Sequence, residues 1–239
     1  MSDLHDKPFD AVVESLKARR PDLIAVPGDL FFHILPPDDD SVLHISPHAL
    51  PFLEACADIA PTFYSVGNHD WMLGERDLAI LRDAGVTALD NGFVRFGDLC
   101  IGGLTSGVVM RYRLDGHIRL SRSIIRHDFL GHDSPTEPDT AWLDEFEAQD
   151  GYKLLLCHHP EYWKKYLQGR KIDLILSGHA HGGQIRLFGQ GLFAPGQGWF
   201  PKYTSGVYGN MIVSRGLANT GGIIPRLFNP CEIVYIEPE

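Results

Sequence analysis

The chain has 239 residues, of which 44% are hydrophobic, and a formal net charge of −10. This length and composition predict one globular domain, residues 1–239, with a sizeable core, and the acidic balance argues against wholesale attraction to nucleic acid or anionic lipid. No apolar run reaches the roughly 18 residues that a membrane span needs, and the N-terminus has no signal peptide, so we expect a soluble, cytoplasmic protein.

Apolar runs alternate with amphipathic stretches along most of the chain. Residues 8–20 are typical of a helix with Pro8 in its first turn, and residues 22–26 are typical of a buried strand that ends at Pro27-Gly28. In chain order, the pattern then predicts helices at 47–59, 75–84, 139–149 and 160–168, and strands at 62–66, 86–89, 93–96, 99–103, 153–157, 172–176, 184–188, 208–214 and 231–236. Strand–helix alternation followed by a β-rich tail predicts an α/β sandwich of two sheets.

Two stretches, residues 33–46 and 105–138, are expected to be long loops, which are usually functional or mobile. The second stretch carries five arginines. They are Arg111, Arg113, Arg119, Arg122 and Arg126. Such arginines usually form a solvated face, and the functional alternative is a substrate lid that binds phosphate through charge-assisted hydrogen bonds.

The cysteines are widely spaced and form no CxxC pair, which argues against a zinc ribbon or a disulfide framework. They are Cys56, Cys100, Cys157 and Cys231. We expect buried free thiols in a reducing compartment.

Short polar motifs follow four of the predicted buried strands at their C-terminal ends. They are Gly28-Asp29, Gly67-Asn68-His69-Asp70, His158, and Gly178-His179-Ala180-His181, and a fifth motif, Asp3-x-His5, lies at the N-terminus. Ligands of α/β proteins bind at this edge of a sheet, where parallel strands bring sequence-distant residues together. Imidazole, carboxylate and amide oxygen suit manganese, iron, zinc and similar cations.

Local geometry is predicted to aim these side chains at one place. In an extended segment Asp3 and His5 point to the same side, and so do His179 and His181. The glycines before Asp29, Asn68 and His179 permit close approach of the backbone. A Gly-Asp pair alone is usually only a turn, so only the five motifs together indicate a metal site.

These motifs, in this order, resemble the calcineurin-like metallophosphoesterase superfamily, whose pattern is D-x-H, G-D, G-N-H-[DE], a lone H and G-H-x-H. The stretch from Gly178 to Arg226 resembles a bacterial, often membrane-associated subgroup that includes UDP-2,3-diacylglucosamine pyrophosphatases. The resemblance implies a four-layer αββα sandwich of two mixed β-sheets flanked by helices. It also implies hydrolysis of a phosphodiester, a phosphomonoester or a lipid-linked diphosphate.

The resemblance implies a role for each motif residue. The first of two divalent cations would be held by Asp3, His5, Asp29 and His181, and the second by Asp29, Asn68, His158 and His179. Asp29 would bridge the cations, which would lie about 3.5–4 Å apart. A hydroxide that bridges the same cations would attack the phosphorus. Manganese is the expected metal, with iron, zinc, nickel or cobalt as alternatives. His69 would be the general acid or transition-state stabiliser, and Asp70 would orient it.

His158 and His159 compete for one ligand position. The family pattern favours His158, which lies two residues before the proline. The remaining histidines are expected to be solvated loop residues, with substrate contact as the alternative for His117 or His127. They are His33, His44, His48, His117, His127 and His132.

The family normally has a buried strand before D-x-H, whereas this chain begins at Met1, just before Asp3. The N-terminal strand is therefore expected to be missing, and a poorly ordered terminus would weaken the first cation site. A membrane anchor of the subgroup would also lie upstream. Residues 103–106 depart from relatives that carry acidic residues there, which bears on the substrate pocket.

Alternatives to the hydrolase are a catalytically inactive scaffold for protein contacts and a nuclease. The acidic balance and the lack of an aromatic, basic groove argue against nucleic acid. No obligate protein partner is inferred. An apolar loop is expected in the core, with contact to lipid or a membrane surface as its alternative; its residues are Phe188, Leu192, Phe193, Trp199 and Phe200.

Overall fold

The computed structural model describes residues 1–31, 43, 46–110, 137–218 and 224–237, and these residues form an α/β sandwich. The helices are α1 (Asp10–Arg19), α2 (Ala49–Ala57), α3 (Glu75–Asp83) and α4 (Leu143–Glu147), with a π-helical turn at Trp163–Leu167 and a 3-10 turn at His181–Gly183. The longer strands are β1 (Ile24–Pro27), β2 (Thr62–Ser65), β3 (Val86–Leu89), β4 (Gly92–Phe96), β5 (Leu99–Leu104), β6 (Tyr152–Cys157) and β7 (Leu174–Ser177). The C-terminal part adds β8 (Arg186–Leu187), β9 (Gln190–Gly191), β10 (Phe193–Ala194), β11 (Gly198–Trp199), β12 (Gly206–Tyr208) and β13 (Met211–Val213).

Two sheets form the sandwich, and only one of them is mixed. The larger sheet has the order β12-β13-β7-β6-β5-β4 and contains parallel and antiparallel pairs. The other sheet, β1-β2-β3, is parallel throughout its described strands, which corrects the expectation of two mixed sheets. The physical reason is its connections: α2 links β1 to β2 and α3 links β2 to β3, and such helical crossovers join parallel strands.

Three apolar clusters fill the spaces between the layers. Between the two sheets pack Phe63, Leu89, Ile101, Leu154 and Leu156. Outside the parallel sheet, Leu16 of α1, Phe52 of α2 and Leu81 of α3 pack against β1 to β3; outside the mixed sheet, Phe146 of α4 packs with Leu155 and Ile175. Each fully buried Leu, Ile or Phe side chain contributes about 1.5–3 kcal/mol. The layer order is therefore helices, parallel sheet, mixed sheet, helices.

The N-terminal residues are packed into the molecule, contrary to the expectation of a poorly ordered terminus. The Met1 amino group donates to the Ala25 carbonyl at 2.9 Å, and the Asp3 N–H donates to the Gly28 carbonyl at 3.2 Å. On the other side, the Leu217 N–H donates to the Ser2 carbonyl at 2.9 Å. The residues before Ile24 contain no strand, and residues 1–3 lie alongside β1 instead.

The predicted strand at 231–236 is wrong, because the described residues 231–237 have no ladder partner. They run along the surface, where the Tyr235 hydroxyl lies 2.8 Å from Ser15 Oγ and Arg19 stacks on the Tyr235 ring. Cys231 is exposed, so only Cys56, Cys100 and Cys157 are the buried thiols that we expected. The strand predicted at 184–188 is shorter, with only Arg186–Leu187 in a two-stranded hairpin.

The long predicted loops fall largely outside the described residues, and with them all five arginines of the proposed lid and His33, His44, His117, His127 and His132. Within the part of the chain that the structure describes, no helix has the length and apolar character needed to cross a membrane.

Candidate metal centre

Four strands place the polar motifs at one edge of the sandwich. Asp29 follows β1 and Asn68 follows β2 in the parallel sheet, while His158 follows β6 and His179 follows β7 in the mixed sheet. The His158 Nδ1–H donates to the Pro27 carbonyl at 2.6 Å and thereby ties the two sheets together. The structure therefore brings these motifs together as the sequence predicted.

Asp3, His5 and His181 form the first group of side chains that could hold a cation. His5 Nε2 lies 3.2 Å from His181 Nε2, and Asp3 Oδ1 lies 3.5 Å from His181 Nε2 and 3.9 Å from His5 Nε2. His5 Nδ1 lies 3.1 Å from the Phe31 carbonyl, which fixes its proton there and turns Nε2 towards the group. Two facing ring nitrogens and a carboxylate oxygen are a ligand set for a divalent cation.

Asp29, His158 and His179 form the second group, and Asp29 belongs to both neighbourhoods. Asp29 Oδ2 lies 3.0 Å from His158 Nε2 and 4.0 Å from His5 Nε2. The other oxygen, Oδ1, accepts the His69 N–H at 2.8 Å, so Oδ2 is the atom presented to both groups.

Buried polar atoms without a hydrogen-bond partner converge on this edge. Among the described residues they include Asp29 Oδ2, Asn68 Oδ1 and His158 Nε2. Buried polar atoms are nearly always paired, because an unpaired one loses its hydration without compensation. Carboxylate, amide and imidazole donors left in this way fit divalent cations.

Electrostatics divides the imidazoles into two kinds. Burial lowers the pKa of His179 well below its ordinary value and that of His181 to about 4, so both rings are neutral, which is the form that binds metals. Burial also opposes the charge of His158, but the carboxylates of Asp29 and Asp3 outweigh it and raise its pKa to about 10. Burial likewise disfavours the Asp29 carboxylate, but His158 and His69 hold its pKa well below the usual range.

The backbone at five of these residues is left-handed, which corrects the expectation of extended segments. The φ angles are 58° at Asp3, 48° at His5, 57° at Asp29, 65° at His179 and 45° at His181. Non-glycine residues seldom adopt this conformation, and it is found preferentially where function requires a particular side-chain direction. The side chains converge as predicted, but they do so through turns rather than through alternation along a strand.

Asp70 holds the turns of the site together. Its Oδ2 accepts the N–H groups of Asp29 and Gly67, each at 2.8 Å, and its Oδ1 accepts that of Leu30 at 2.8 Å. The side chain is buried, and the pKa of Asp70 is raised by burial and by the nearby Asp29. The predicted orientation of His69 by Asp70 stays a prediction, and the contacts described here go to the backbone.

The two turns also touch directly at Gly67. A Cβ atom at this position would lie 2.3 Å from Asp29 Oδ1 and 2.5 Å from the Asp29 nitrogen. Only glycine permits this approach, as the sequence predicted for the residue before Asn68.

A comparison with protein families agrees with this geometry. The model of the calcineurin-like phosphoesterases matches residues 1–183. The chain belongs to the calcineurin-like phosphoesterase family. Relatives of this chain include a putative metallophosphoesterase of Caenorhabditis elegans, 28% identical over 99% of this chain and 47% of the relative, and an uncharacterized metallophosphoesterase of Helicobacter pylori, 26% identical over 95% of this chain and 54% of the relative. The phosphodiesterase YaeI of Escherichia coli is 28% identical over 93% of this chain and 73% of its own length.

The chain thus spans about half the length of the first two relatives. The family match supplies the class of chemistry, a phosphoesterase. The C-terminal residues 184–239 lie outside the matched region.

The structure separates the two adjacent histidines of this chain. His158 faces Asp29, whereas His159 lies with its Nε2 2.8 Å from Ser106 Oγ and its Nδ1 3.0 Å from Glu161 Oε1. The sequence pointed to Ser106 only as part of residues 103–106, in connection with the substrate pocket, and it did not point to Glu161. Glu161 follows His159-Pro160 directly after a strand, and this position was the only available signal.

Proposed function

We propose that this family member is a phosphoester hydrolase that holds two divalent cations. Asp3, His5, Asp29 and His181 would hold the first cation, and Asp29, Asn68, His158 and His179 would hold the second. The observation that carries this proposal is the placement of Asp29 Oδ2, which lies 3.0 Å from His158 Nε2 and 4.0 Å from His5 Nε2. Manganese is the proposed metal, and iron, zinc, nickel and cobalt suit the same donors.

When bound, the cations would polarise the phosphoryl oxygens and lower the pKa of bound water to about 7, which supplies a nucleophile at neutral pH. The chain's own residues supply the arrangement: Asp29 lies between the groups, and the His5 and His158 rings present Nε2 because their Nδ1 atoms face carbonyl groups.

His69 is proposed to face the substrate. Its side chain is 16% exposed, whereas those of His5 and His158 are fully buried. His69 Nε2 lies 4.0 Å from Asp29 Oδ2, so an exposed ring edge adjoins the cation donors. A proton on this ring can reach the leaving oxygen, a contribution of about 10²–10⁴-fold.

The proposed substrate is a phosphodiester or a lipid-linked diphosphate rather than a monoester. The named activity of the relative YaeI, a phosphodiesterase, supports the first class. Within residues 103–106, where this chain departs from relatives that carry acidic residues, it has the buried Thr105 and Ser106.

A membrane-surface contact is the proposed source of a lipid-linked substrate. Residues 174–231 contain no Asp or Glu, although the whole chain has 31, and they carry Arg186, Lys202, Arg215 and Arg226. Phe188, Trp199, Phe200 and Phe228 in this stretch are exposed, not core residues. Arg215 is paired with Glu232, and Arg186 and Arg226 donate to backbone carbonyls. The exposed Lys202 and the exposed aromatic side chains are therefore the features that suit an anionic lipid surface. Co-sedimentation with phosphatidylglycerol vesicles, compared with phosphatidylcholine vesicles, tests this contact. Equal binding to both kinds of vesicle, unchanged in the double variant Trp199→Ala, Phe200→Ala, would refute it.

Hydrolysis of bis-p-nitrophenyl phosphate separates the hydrolase from a catalytically inactive scaffold. The hydrolase requires turnover that depends on added Mn²⁺ and disappears in Asp29→Ala, while Glu54→Gln on the exposed face of α2 keeps it. A manganese-loaded wild-type protein that turns over neither this diester nor p-nitrophenyl phosphate would favour the scaffold.

A further inference from the structure

A chain of polar side chains lies beside the proposed second cation site without belonging to its ligand set. Ser106, His159 and Glu161 form this chain, and Glu161 Oε1 lies 3.0 Å from His159 Nδ1 and 3.7 Å from His179 Nε2. Ser106 and His159 are buried, and the Glu161 side chain is 17% exposed. His159, Glu161 and His179 also form a group of side chains that could hold a cation.

Hydrogen bonding argues that His159 is not itself a ligand. Its Nδ1 must carry a proton to bond the carboxylate of Glu161, and its Nε2 lies 2.8 Å from Ser106 Oγ. Both ring nitrogens are therefore engaged. The ring also stacks on Tyr162 with 4.6 Å between centroids, so it is held firmly.

Glu161 is anchored on His159 but has hydrogen-bonding capacity left over. Its Oε2 is buried without a hydrogen-bond partner, and the same holds for His179 Nε2. A ligating imidazole commonly places its other nitrogen against a carboxylate, which fixes the orientation and basicity of the ring.

The loop after β10 lies directly against this carboxylate. A Cβ atom at Gly196 would lie 2.2 Å from Glu161 Oε1. The position of Glu161 is thus set from one side by His159 and from the other by the Gly196 backbone.

We propose that Glu161 is a positioning residue of the second cation site: held by His159 and Gly196, its carboxylate fixes the imidazole of His179. The cation itself rests on the proposed function, whereas the contacts of Glu161 do not.

The first test is Glu161→Gln, which keeps the shape and removes the charge, with Glu54→Gln as the control on an exposed helix face. Calorimetric titration with Mn²⁺ should resolve two binding events in the wild type. The event that is lost in His179→Ala should be about 10–100-fold weaker in Glu161→Gln. The other event, the stoichiometry at saturation and the melting temperature should match the control. In the Co²⁺-loaded protein, the visible absorption of the affected site should shift, which a purely structural change elsewhere would not produce.

The second test moves the carboxylate without changing any ionisable group. Gly196→Ala requires Glu161 Oε1 to move by about 1.2 Å, from 2.2 Å to an ordinary contact of 3.4 Å. Gly189→Ala is the matched control, because Gly189 also has a positive φ, 84° against 68°, but has nothing within 4 Å. Gly196→Ala should loosen the same cation as Glu161→Gln, and Gly189→Ala should not.

The outcomes distinguish this proposal from the proposed function. Two cations in the wild type with unchanged affinities in Glu161→Gln would overturn the role of Glu161 alone. Loss of one cation from Glu161→Gln even at saturation would overturn it in favour of direct ligation by Glu161. A wild-type protein that takes up no second cation would overturn the proposed function as well.

Discussion

Gly67→Ala is expected to disable the centre without altering any ligand. The added Cβ would lie 2.3 Å from Asp29 Oδ1, so the atoms must separate by about 1.1 Å to reach an ordinary contact of 3.4 Å. A site of this kind tolerates about 0.5 Å, and a displacement of about 1 Å can reduce activity about 10²-fold. Overpacking should also lower the free energy of unfolding by about 1–3 kcal/mol.

The assay for Gly67→Ala combines metal analysis after gel filtration, hydrolysis of bis-p-nitrophenyl phosphate and thermal unfolding. Gly74→Ala is the matched control, because neither glycine has a positive φ and a Cβ at Gly74 meets only Asp77 Oδ2, at 3.8 Å. Equal metal content and activity in the two variants would refute the claim that close packing of Gly67 against Asp29 positions the ligand.

Three further changes test other parts of the site and the core. His69→Ala should keep both cations and lose about 10²–10⁴-fold in kcat, because the ring is proposed to act on the substrate; loss of metal would contradict this assignment. Asp70→Ala should lower the free energy of unfolding by at least about 1–3 kcal/mol and release the cations, because the N–H groups of Asp29 and Gly67 lose their acceptor. Asp70→Asn should lose less stability and less metal. Chemical unfolding measures the stability and metal analysis measures the cations. A thiol reagent should modify one cysteine in the native protein, the exposed Cys231, and all four cysteines after denaturation. The other three thiols are buried, and burial raises the pKa of Cys56 to about 12. Rapid reaction of a second thiol in the native protein would contradict the described core.

The positions of the site residues could be predicted because strand ends are visible in the sequence. Each apolar run that ends in Gly28-Asp29, Gly67-Asn68 or Gly178-His179 became a strand, or part of one, with its motif at the carboxyl edge. Hydrophobic pattern and turn residues determine such features locally.

The backbone conformation of the proposed ligands could not be predicted in the same way. Asp3 and His181 are left-handed because tertiary contacts hold them, including the His179 N–H that donates to Asp3 Oδ1 at 3.1 Å. Nothing local in Asp3-x-His5 distinguishes this from an extended segment.

Strand pairing at the C-terminus also escaped local reasoning. Residues 231–236 alternate like a strand, but β7 already pairs with β13, which is antiparallel to β12. Tyr235 packs beside α1 instead. Whether an alternating segment joins a sheet depends on which edges remain available, and the segment's own sequence does not contain that information.

The sharing of Asp29 between two cations is tested most directly by electron paramagnetic resonance of the protein loaded with Mn²⁺. Two ions bridged by one carboxylate about 3.5–4 Å apart should give an exchange-coupled multiline spectrum with two manganese per chain, and Asp29→Asn should abolish the coupling. A six-line spectrum of isolated manganese at full occupancy, unchanged in Asp29→Asn, would contradict the account.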